Sequence, residues 1–293
     1  MSIDQTYQDY LDRVGLKPEE FTQMELLAVA TKREIPNGAY IFVGTGLPLL
    51  SAMLAQSTSA PDMTMILEAG TVGPTIKHLP VSVADARATY QATTLATVAD
   101  AFGTLACRGY CTLGLLGAAE CDMYGNLNSS AVGGGWPAGV SENGRGPTTR
   151  LTGSGGANSI ASLADKIIVS MVHEKRRMVE SVEYLTTACG MRGPKGETRF
   201  DYGLFRGGEL VVISDLGILR PNSETGILEL DMYYPGVSPE FIQDNTGWSL
   251  NIEHAREMQP PTFEELRILR MMVDPTRLFL GRKSKRKVES TKQ

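Results

Sequence analysis

Short runs of apolar residues that alternate with helix-like segments constrain the fold of this chain most strongly. Four such runs lie in the first part of the sequence: AYIFVGTG (39–46), MTMILEAG (63–70), YCTLGLLGAAECD (110–122) and IIVSMV (167–172). Nearly continuous apolar character over so few residues is typical of strands that are buried on both faces. Because helical segments separate them, successive strands can run parallel. The sequence therefore predicts an α/β fold, with an open, mostly parallel sheet flanked by helices.

The rest of the chain extends this alternation. Helix-like patterns cover 4–33 (strongest over 22–35), 47–58, 92–109, 159–166 and 260–273. Two late runs, ELVVISDLGILR (209–220) and ILELDMYY (227–234), predict paired strands joined by the turn PNSETG. No internal repeat or linker divides the chain, so we predict one domain over 1–281. The remaining segment, 282–293, is basic and poor in apolar residues, which predicts a disordered tail.

Composition argues against several classes of function. The net charge is −5 and the isoelectric point is near 5.4, which argues against nucleic acid as a partner. We find neither a signal-peptide pattern nor an apolar run of the roughly 20 residues that a membrane helix requires, so we expect a cytoplasmic protein without a membrane partner. The cysteines do not suggest a disulfide framework, and we expect buried thiols and no metal site. They are Cys107, Cys111, Cys121 and Cys189.

Two glycine-rich turns are candidate binding loops. Gly44, Thr45 and Gly46 follow the first strand and precede a helix, although the pattern is not that of a dinucleotide site. In RLTGSGGANSIASLADK (150–166), Gly153, Gly155 and Gly156 precede Asn158 and the next helix. Such turns can direct several backbone N–H groups at one point, as in an oxyanion hole or an anion-binding nest. A purely structural turn is the alternative for each.

Two glutamates are candidates for chemistry. Glu68 follows the apolar run MTMIL, at the strand end where ligands bind in parallel α/β folds. Glu142 lies in VSENGRG (140–146), and its Ser-Glu-Asn-Gly stretch resembles the nucleophile loop of one enzyme class. The residue types alone do not choose between them, and a surface glutamate at a strand end remains the alternative for Glu68.

Six segments together resemble the β subunit of glutaconate CoA-transferase, a class I CoA-transferase, from about residue 22 to 281. They are IPNGAYIFVGTGLPLL, APDMTMILEAG, DMYGNLNSSAVG, RLTGSGGANSIASLADKIIVSMVHEKRR, YYPGVSPEFIQDNTGW and VDPTRLFL. In that family the nucleophile is the glutamate that closes the second strand, far upstream of the Gly-Gly-Ala motif. The resemblance therefore implies that Glu68 is the nucleophile, and that the match at Glu142, close to that motif, is a coincidence.

The resemblance also implies a mechanism and a partner. The carboxylate of Glu68 would form an acyl anhydride and then a glutamyl-CoA thioester, with Gly155 and Gly156 as oxyanion donors. The loop Gly44–Gly46, Gly153 and Asn158 would contact substrate or CoA, with Asn158 orienting its loop. Coenzyme A would be a substrate, without a permanently bound cofactor, and a homologous α subunit would complete a hetero-oligomer. Hydrolysis of a CoA thioester, ring-opening hydrolysis and decarboxylation of a glutaconyl-type CoA are alternatives on the same fold.

The cationic residues are less informative. The candidates for contacts with a carboxylate or a CoA phosphate are Arg87, Arg108, Arg145 and Arg150. His173, followed by EKRR (174–177), is predicted to lie in a solvated turn, with a contact to CoA as the alternative.

Overall fold

The computed structural model describes residues 4–133, 149–190 and 196–281. The α-helices in these ranges are α1 (Gln5–Val14), α2 (Gln23–Arg33), α3 (Leu47–Gln56), α4 (Ala157–Leu163), α5 (Pro239–Asp244) and α6 (Phe263–Ile268). The strands are β1 (Tyr40–Val43), β2 (Thr64–Ile66), β3 (Thr71–Val72), β4 (Thr94–Leu95), β5 (Leu113–Leu116), β6 (Glu120–Asp122), β7 (Leu127–Asn128), β8 (Ala131–Val132), β9 (Thr149–Arg150), β10 (Lys166–Met171), β11 (Met178–Val179), β12 (Glu209–Ser214), β13 (Gly217–Pro221), β14 (Leu228–Tyr233) and β15 (Arg256–Glu257). Glu142, Arg145 and the predicted tail 282–293 lie outside the described residues.

A ten-stranded sheet forms the centre of the described structure, in the order β15-β14-β13-β12-β10-β5-β1-β2-β3-β4. The strands from β12 to β2 are parallel to their neighbours. Antiparallel pairs extend the sheet on both sides, through β13 and β14 at one end and through β3 and β4 at the other. The predicted α/β fold with an open, mostly parallel sheet is therefore confirmed.

The strand register determines which turns meet at the carboxyl edge of the sheet. Phe42 in β1 lies opposite Ile66 in β2, and Val43 lies opposite Leu115 in β5. These three strands therefore end at nearly the same level. The turns that follow them emerge side by side, about 4.8 Å apart from strand to strand.

Helices cover the central strands and bring one glycine turn to this edge. Helices α2 and α3 pack against each other, and α3 also packs on β1 and β5. Helix α4 packs on β5 at Gly114, where a Cβ atom would lie only 2.4 Å from Cγ2 of Ile160. Because Gly114 has no side chain, α4 and the turn that precedes it can approach the sheet closely.

Two of the predicted helices are wrong in extent. The predicted helix 4–33 is two helices, because Gly15 ends α1 with a left-handed φ of 66° and α2 begins only after its N-cap Thr22. The predicted helix 92–109 contains the edge strand β4 and a π-helical segment, Asp100–Ala106. Three threonines at 93, 94 and 97 favour extended backbone there, and β4 pairs with β3.

Two of the predicted strands are interrupted. The run 110–122 forms β5 and then β6, which belongs to a separate three-stranded sheet. The run 209–220 forms β12 and β13, which are antiparallel. Ser214 causes this reversal, because its side-chain oxygen accepts hydrogen bonds from the N–H groups of Leu216 and Gly217. Periodicity does not detect such a turn, since the flanking residues remain apolar.

A buried ion-pair network joins the beginning and the end of the described chain. Arg270 makes a two-pronged contact with Glu25, with each N–O distance at 3.0 Å, and both side chains are fully buried. Arg270 also donates to the hydroxyl of Tyr7 at 2.9 Å, and Arg277 donates to Glu25 at 2.9 Å. Burial raises the pKa of Glu25, but the hydrogen bonds and charge of Arg270 outweigh it and lower the pKa. The network holds α1, α2 and the C-terminal segment together.

Candidate active site

Glu68 lies at the tip of a tight turn between β2 and β3. The Gly70 N–H donates to the Leu67 carbonyl at 2.9 Å, and the Leu67 N–H donates to the Thr71 carbonyl at 2.9 Å. Gly70 has a φ of 101°, and a Cβ atom there would lie 2.2 Å from the carbonyl oxygen of Ala96. Glycine is therefore required at this position. The turn fixes the backbone of Glu68 at the carboxyl edge of the sheet.

The structure brings Glu68 together with the turn before α4. A Cβ atom built on Gly155 would lie 3.7 Å from Oε2 of Glu68, and one built on Gly156 would lie 3.4 Å from its Cδ. The Glu68 side chain is half-buried, and its carboxylate forms no hydrogen bond or ion pair with the described residues. A carboxylate that is partly removed from water and has no cationic partner is unusual for a structural residue.

The glycine turn presents backbone donors to this carboxylate. The Gly153 N–H donates to the Ser129 carbonyl at 2.8 Å, which fixes the start of the turn. Gly153 and Gly155 have φ values of 93° and 49°, in the region that favours glycine. The N–H groups of Gly155 and Gly156 make no hydrogen bond within the described part of the chain. They are therefore available to an oxygen atom that develops negative charge beside Glu68.

Phe102 is a site residue that the sequence did not identify. It lies in the π-helical segment, and its ring stacks on that of Phe42 with centroids 4.9 Å apart. Its Cζ atom lies 2.6 Å from where a Cβ of Gly156 would be. Phe102 therefore forms an apolar wall behind the glycine turn, next to Glu68. Segments of π-helix are frequent at functional sites, but the expected α-helix over 92–109 hid this one.

The first glycine loop lies at the neighbouring strand end. The Gly44 N–H donates to the Leu115 carbonyl at 3.1 Å, which ties the loop to β5. Thr45 is half-buried, and Gly46 is the N-cap of α3 with a φ of 87°. A Cβ atom on Gly46 would lie 3.8 Å from the ring of Phe279. The register between β1 and β2 therefore places this loop beside the Glu68 turn.

Asn158 lies in the first turn of α4 and is exposed. Its side-chain oxygen accepts a hydrogen bond from the N–H of Ser159 at 2.8 Å. Among the described residues, the hydrogen bonds of its side chain stay within α4, and none of them runs to the glycine turn that precedes the helix.

A cleft adjoins the glycine turn on the side of β5. It has a volume of about 540 Å³, and its lining is Gly117, Ala118, Ala119, Ser129, Arg150, Leu151 and Thr152. The first three residues follow β5 at the carboxyl edge of the sheet, and the last three lead directly into the Gly153–Gly156 turn. The cleft therefore opens on the same edge as Glu68.

The candidate cations differ in their surroundings. Arg87 is ion-paired with Asp85, and Arg108 lies ahead of β5, at the opposite edge of the sheet. Arg150 lines the cleft, and it forms no ion pair with the described residues. The structure thus distinguishes three arginines that the sequence could not rank.

The prediction of a solvated turn at His173 is wrong. The side chain is fully buried, and its ring nitrogens lie 3.0 Å from the hydroxyls of Ser214 and Thr246. Its backbone N–H donates to the carboxylate of Asp215 at 2.6 Å. Because these partners are distant in sequence, no local pattern could indicate that this histidine is structural.

The cysteines are mostly as predicted. Cys111, Cys121 and Cys189 are buried, and burial raises the pKa of each thiol, to about 12 for Cys189. Cys107 is exposed, which corrects the expectation for that residue. Within the described ranges, no three His, Cys, Asp or Glu side chains are grouped so that they could hold a metal ion. No helix in those ranges is both long enough and apolar enough to cross a membrane.

The fold and the site together define an α/β enzyme whose chemistry centres on a carboxylate beside free backbone donors. Comparison with known proteins gives the family. The Coenzyme A transferase family model matches residues 24–245, and the chain belongs to that family of CoA-transferring enzymes.

The similarity to individual family members extends over most of the chain. The β subunit of glutaconate CoA-transferase from Acidaminococcus fermentans is 34% identical, over 89% of this chain and 95% of that protein. The β subunit of 3-oxoadipate CoA-transferase from Pseudomonas knackmussii is 32% identical, over 86% of this chain and 93% of that protein. The crystal structure of the Acidaminococcus fermentans glutaconate enzyme superimposes with a TM-score of 0.80 at 33% identity, over 90% of this chain and 98% of that one.

Replacing Gly156 with alanine is expected to impair catalysis more than folding. The new Cβ would push the ring of Phe102 away and would touch the Glu68 carboxyl, since the distances are 2.6 Å and 3.4 Å. Displacements of about 1 Å at a reacting group cost on the order of 100-fold in rate. The measurement is kcat of CoA transfer, with circular dichroism as the check on folding. Gly103→Ala is the matched control, because a Cβ there meets nothing within 4 Å, and equal rates for the two variants would contradict this account of the turn.

Proposed function

We propose that this chain is the β subunit of a heteromeric CoA-transferase that moves CoA between an acyl-CoA and a carboxylic acid through a glutamyl-CoA thioester on Glu68. The observation that carries the proposal is the unpaired, half-buried carboxylate of Glu68 beside Gly155 and Gly156. The similarity to the β subunits of two CoA-transferases supports it. Both of those proteins are named for dicarboxylic acids, so we propose a dicarboxylate of the glutaconate type as the substrate.

The first half of the reaction uses the carboxylate as a nucleophile. An oxygen of Glu68 attacks the thioester carbonyl of the acyl-CoA, the carbon–sulfur bond breaks, and the CoA thiolate leaves. The product is an anhydride between the acyl group and Glu68. The thiolate then attacks the side-chain carbonyl of Glu68, which releases the first acid as a carboxylate and leaves CoA joined to Glu68 as a thioester.

The second half reverses these steps with the acceptor acid. Its carboxylate attacks the Glu68 thioester carbonyl, the thiolate leaves, and the thiolate attacks the acceptor carbonyl of the new anhydride. Glu68 is thereby regenerated and the acceptor carries CoA. Each addition places a negative charge on an oxygen next to Gly155 and Gly156, whose free N–H groups would stabilise it. No electrons are exchanged, and coenzyme A acts as a substrate without a permanently bound cofactor.

The remaining predicted residues surround this centre. Gly44, Thr45 and Gly46 would shape the wall on the β1 side, and Gly153 and Asn158 would contact substrate or CoA from the α4 side. The exposed position of Asn158 suits a contact with a bound molecule. We propose that a homologous α subunit covers this edge of the sheet and supplies the rest of the binding site.

Covalent trapping tests the proposal. The chain, purified together with its partner subunit, is incubated with a panel of acyl-CoAs in the absence of an acceptor acid. It is then reduced with borohydride and analysed by peptide mass spectrometry. We expect the reduced or CoA-bearing residue to be Glu68, and we expect catalytic turnover to require an acceptor acid.

Other results would overturn this assignment in identifiable ways. Label on Glu142 would place the nucleophile in the Ser-Glu-Asn-Gly stretch. Consumption of acyl-CoA with water alone, or release of carbon dioxide without an adduct, would instead indicate a hydrolase or a decarboxylase on the same fold.

A further inference from the structure

The cleft next to the glycine turn has the features of a subsite for a charged acyl chain. Its walls combine small apolar residues with hydroxyl groups, which suits a short aliphatic chain with a polar end. Gly117 follows β5, which is separated from β2 by β1 alone, so it lies about 10 Å from the Glu68 strand end at the usual strand spacing. A short acyl group attached at Glu68 can therefore extend into this cleft.

Arg150 is the charged residue of the cleft lining. It lies at the end of β9, and the N–H of the next residue, Leu151, donates to the Ser130 carbonyl at 2.9 Å, which holds the backbone in place. The side chain is exposed and has no ion-pair partner among the described residues. An arginine with its guanidinium group free can bind a carboxylate through two parallel hydrogen bonds.

The neighbouring charges leave Arg150 as the dominant one. Arg177 reaches the carbonyl of Ala119 at 3.4 Å, but it is ion-paired with Glu174 at 3.1 Å. Glu120, which follows Ala119, is buried and accepts a hydrogen bond from the Asn128 amide at 2.7 Å. Burial raises the pKa of Glu120, which reduces its negative charge. The cleft is therefore suited to an anionic group.

We propose that Arg150 binds the far carboxylate of the acyl group, so that the enzyme selects acyl-CoA thioesters of short dicarboxylic acids over those of monocarboxylic acids. This inference rests on the proposed CoA transfer at Glu68 and assigns its specificity to a named residue. The guanidinium group acts on the end of the acyl chain that does not react. Its loss therefore weakens selection of the substrate and leaves the chemistry at Glu68 intact.

A matched pair of substrates tests the role of Arg150. Glutaryl-CoA and pentanoyl-CoA have acyl chains of equal length and differ in the terminal carboxylate, and acetate serves as the acceptor for both. The enzyme, in complex with its partner subunit, is expected to prefer glutaryl-CoA. Arg150→Gln should lower kcat/KM for glutaryl-CoA by about 10- to 100-fold, the range for a lost charged hydrogen bond. It should leave kcat/KM for pentanoyl-CoA unchanged.

Two further variants sharpen the comparison. Arg150→Lys keeps the charge without the two-pronged geometry, so it should retain part of the preference for glutaryl-CoA. Arg256→Gln removes an exposed arginine of the edge strand β15 and should leave both rates unchanged.

The outcomes separate this inference from the proposed function. Equal losses with both substrates would overturn it, because Arg150 would then contact CoA or support the glycine turn. Unchanged rates in Arg150→Gln would overturn it as well. If Glu68 of the wild-type enzyme still forms an adduct in either case, CoA transfer stands and only the specificity assignment fails. If the wild-type enzyme forms no adduct at Glu68 with either substrate, both proposals fail.

Discussion

Glu68→Gln is expected to abolish CoA transfer while leaving the fold intact. The amide is nearly the same size as the carboxylate, and the carboxylate makes no hydrogen bond or ion pair with the described residues that the amide would break. The amide is a poor nucleophile, however, so neither the anhydride nor the thioester can form. Removal of the nucleophile from a covalent catalyst costs about 10⁴-fold or more in kcat. The measurement is the steady-state rate of the enzyme in complex with its partner subunit.

Two control variants make this result specific. Glu68→Asp keeps the charge but withdraws the carboxylate by one methylene, away from Gly155 and Gly156. It should therefore retain measurable activity, well below that of the wild type. Glu142→Gln should be fully active. If Glu142→Gln were inactive and Glu68→Gln active, the nucleophile would be misassigned and the contact between Glu68 and the glycine turn would be structural.

The sequence could predict the centre of the site because its parts are local. A glutamate after an apolar strand and a glycine turn before a helix are both visible in the sequence, and their meeting follows from the carboxyl edge of a parallel sheet. The choice of Glu68 over Glu142 came from family resemblance alone. Phe102 could not be predicted, because its role depends on a π-helical segment and on the missing side chain of Gly156.

The fold was predictable to the same limit. Apolar runs identified β1, β5, β10 and β14, since strands that are buried on both faces leave a continuous signal. The reversal between β12 and β13 escaped because it depends on hydrogen bonds to the hydroxyl of Ser214. The burial of His173 escaped for a related reason, since both ring partners come from other parts of the chain. Contacts between distant residues are recorded in the structure and not in the local pattern.

Arg270→Met is expected to produce the largest loss of stability among single substitutions in the buried network. Arg270 and Glu25 are both fully buried, and they are 245 positions apart in the sequence. Removing one partner of a buried ion pair leaves the other charge without compensation, which typically costs about 3–5 kcal/mol. The hydroxyl of Tyr7 would lose its donor as well. The free energy of unfolding in urea, followed by circular dichroism, measures the effect.

A surface pair provides the matched control. Arg176 pairs with Glu174 at 2.8 Å, but its side chain is 75% exposed, so Arg176→Met should cost less than about 1 kcal/mol. The C-terminal segment that Arg270 and Arg277 anchor continues to Phe279, whose ring lies beside Gly46 at the edge of the active site. Arg270→Met should therefore also lower activity at temperatures below its unfolding transition. Equal stabilities for Arg270→Met and Arg176→Met would show that the network does not hold the ends of the chain together.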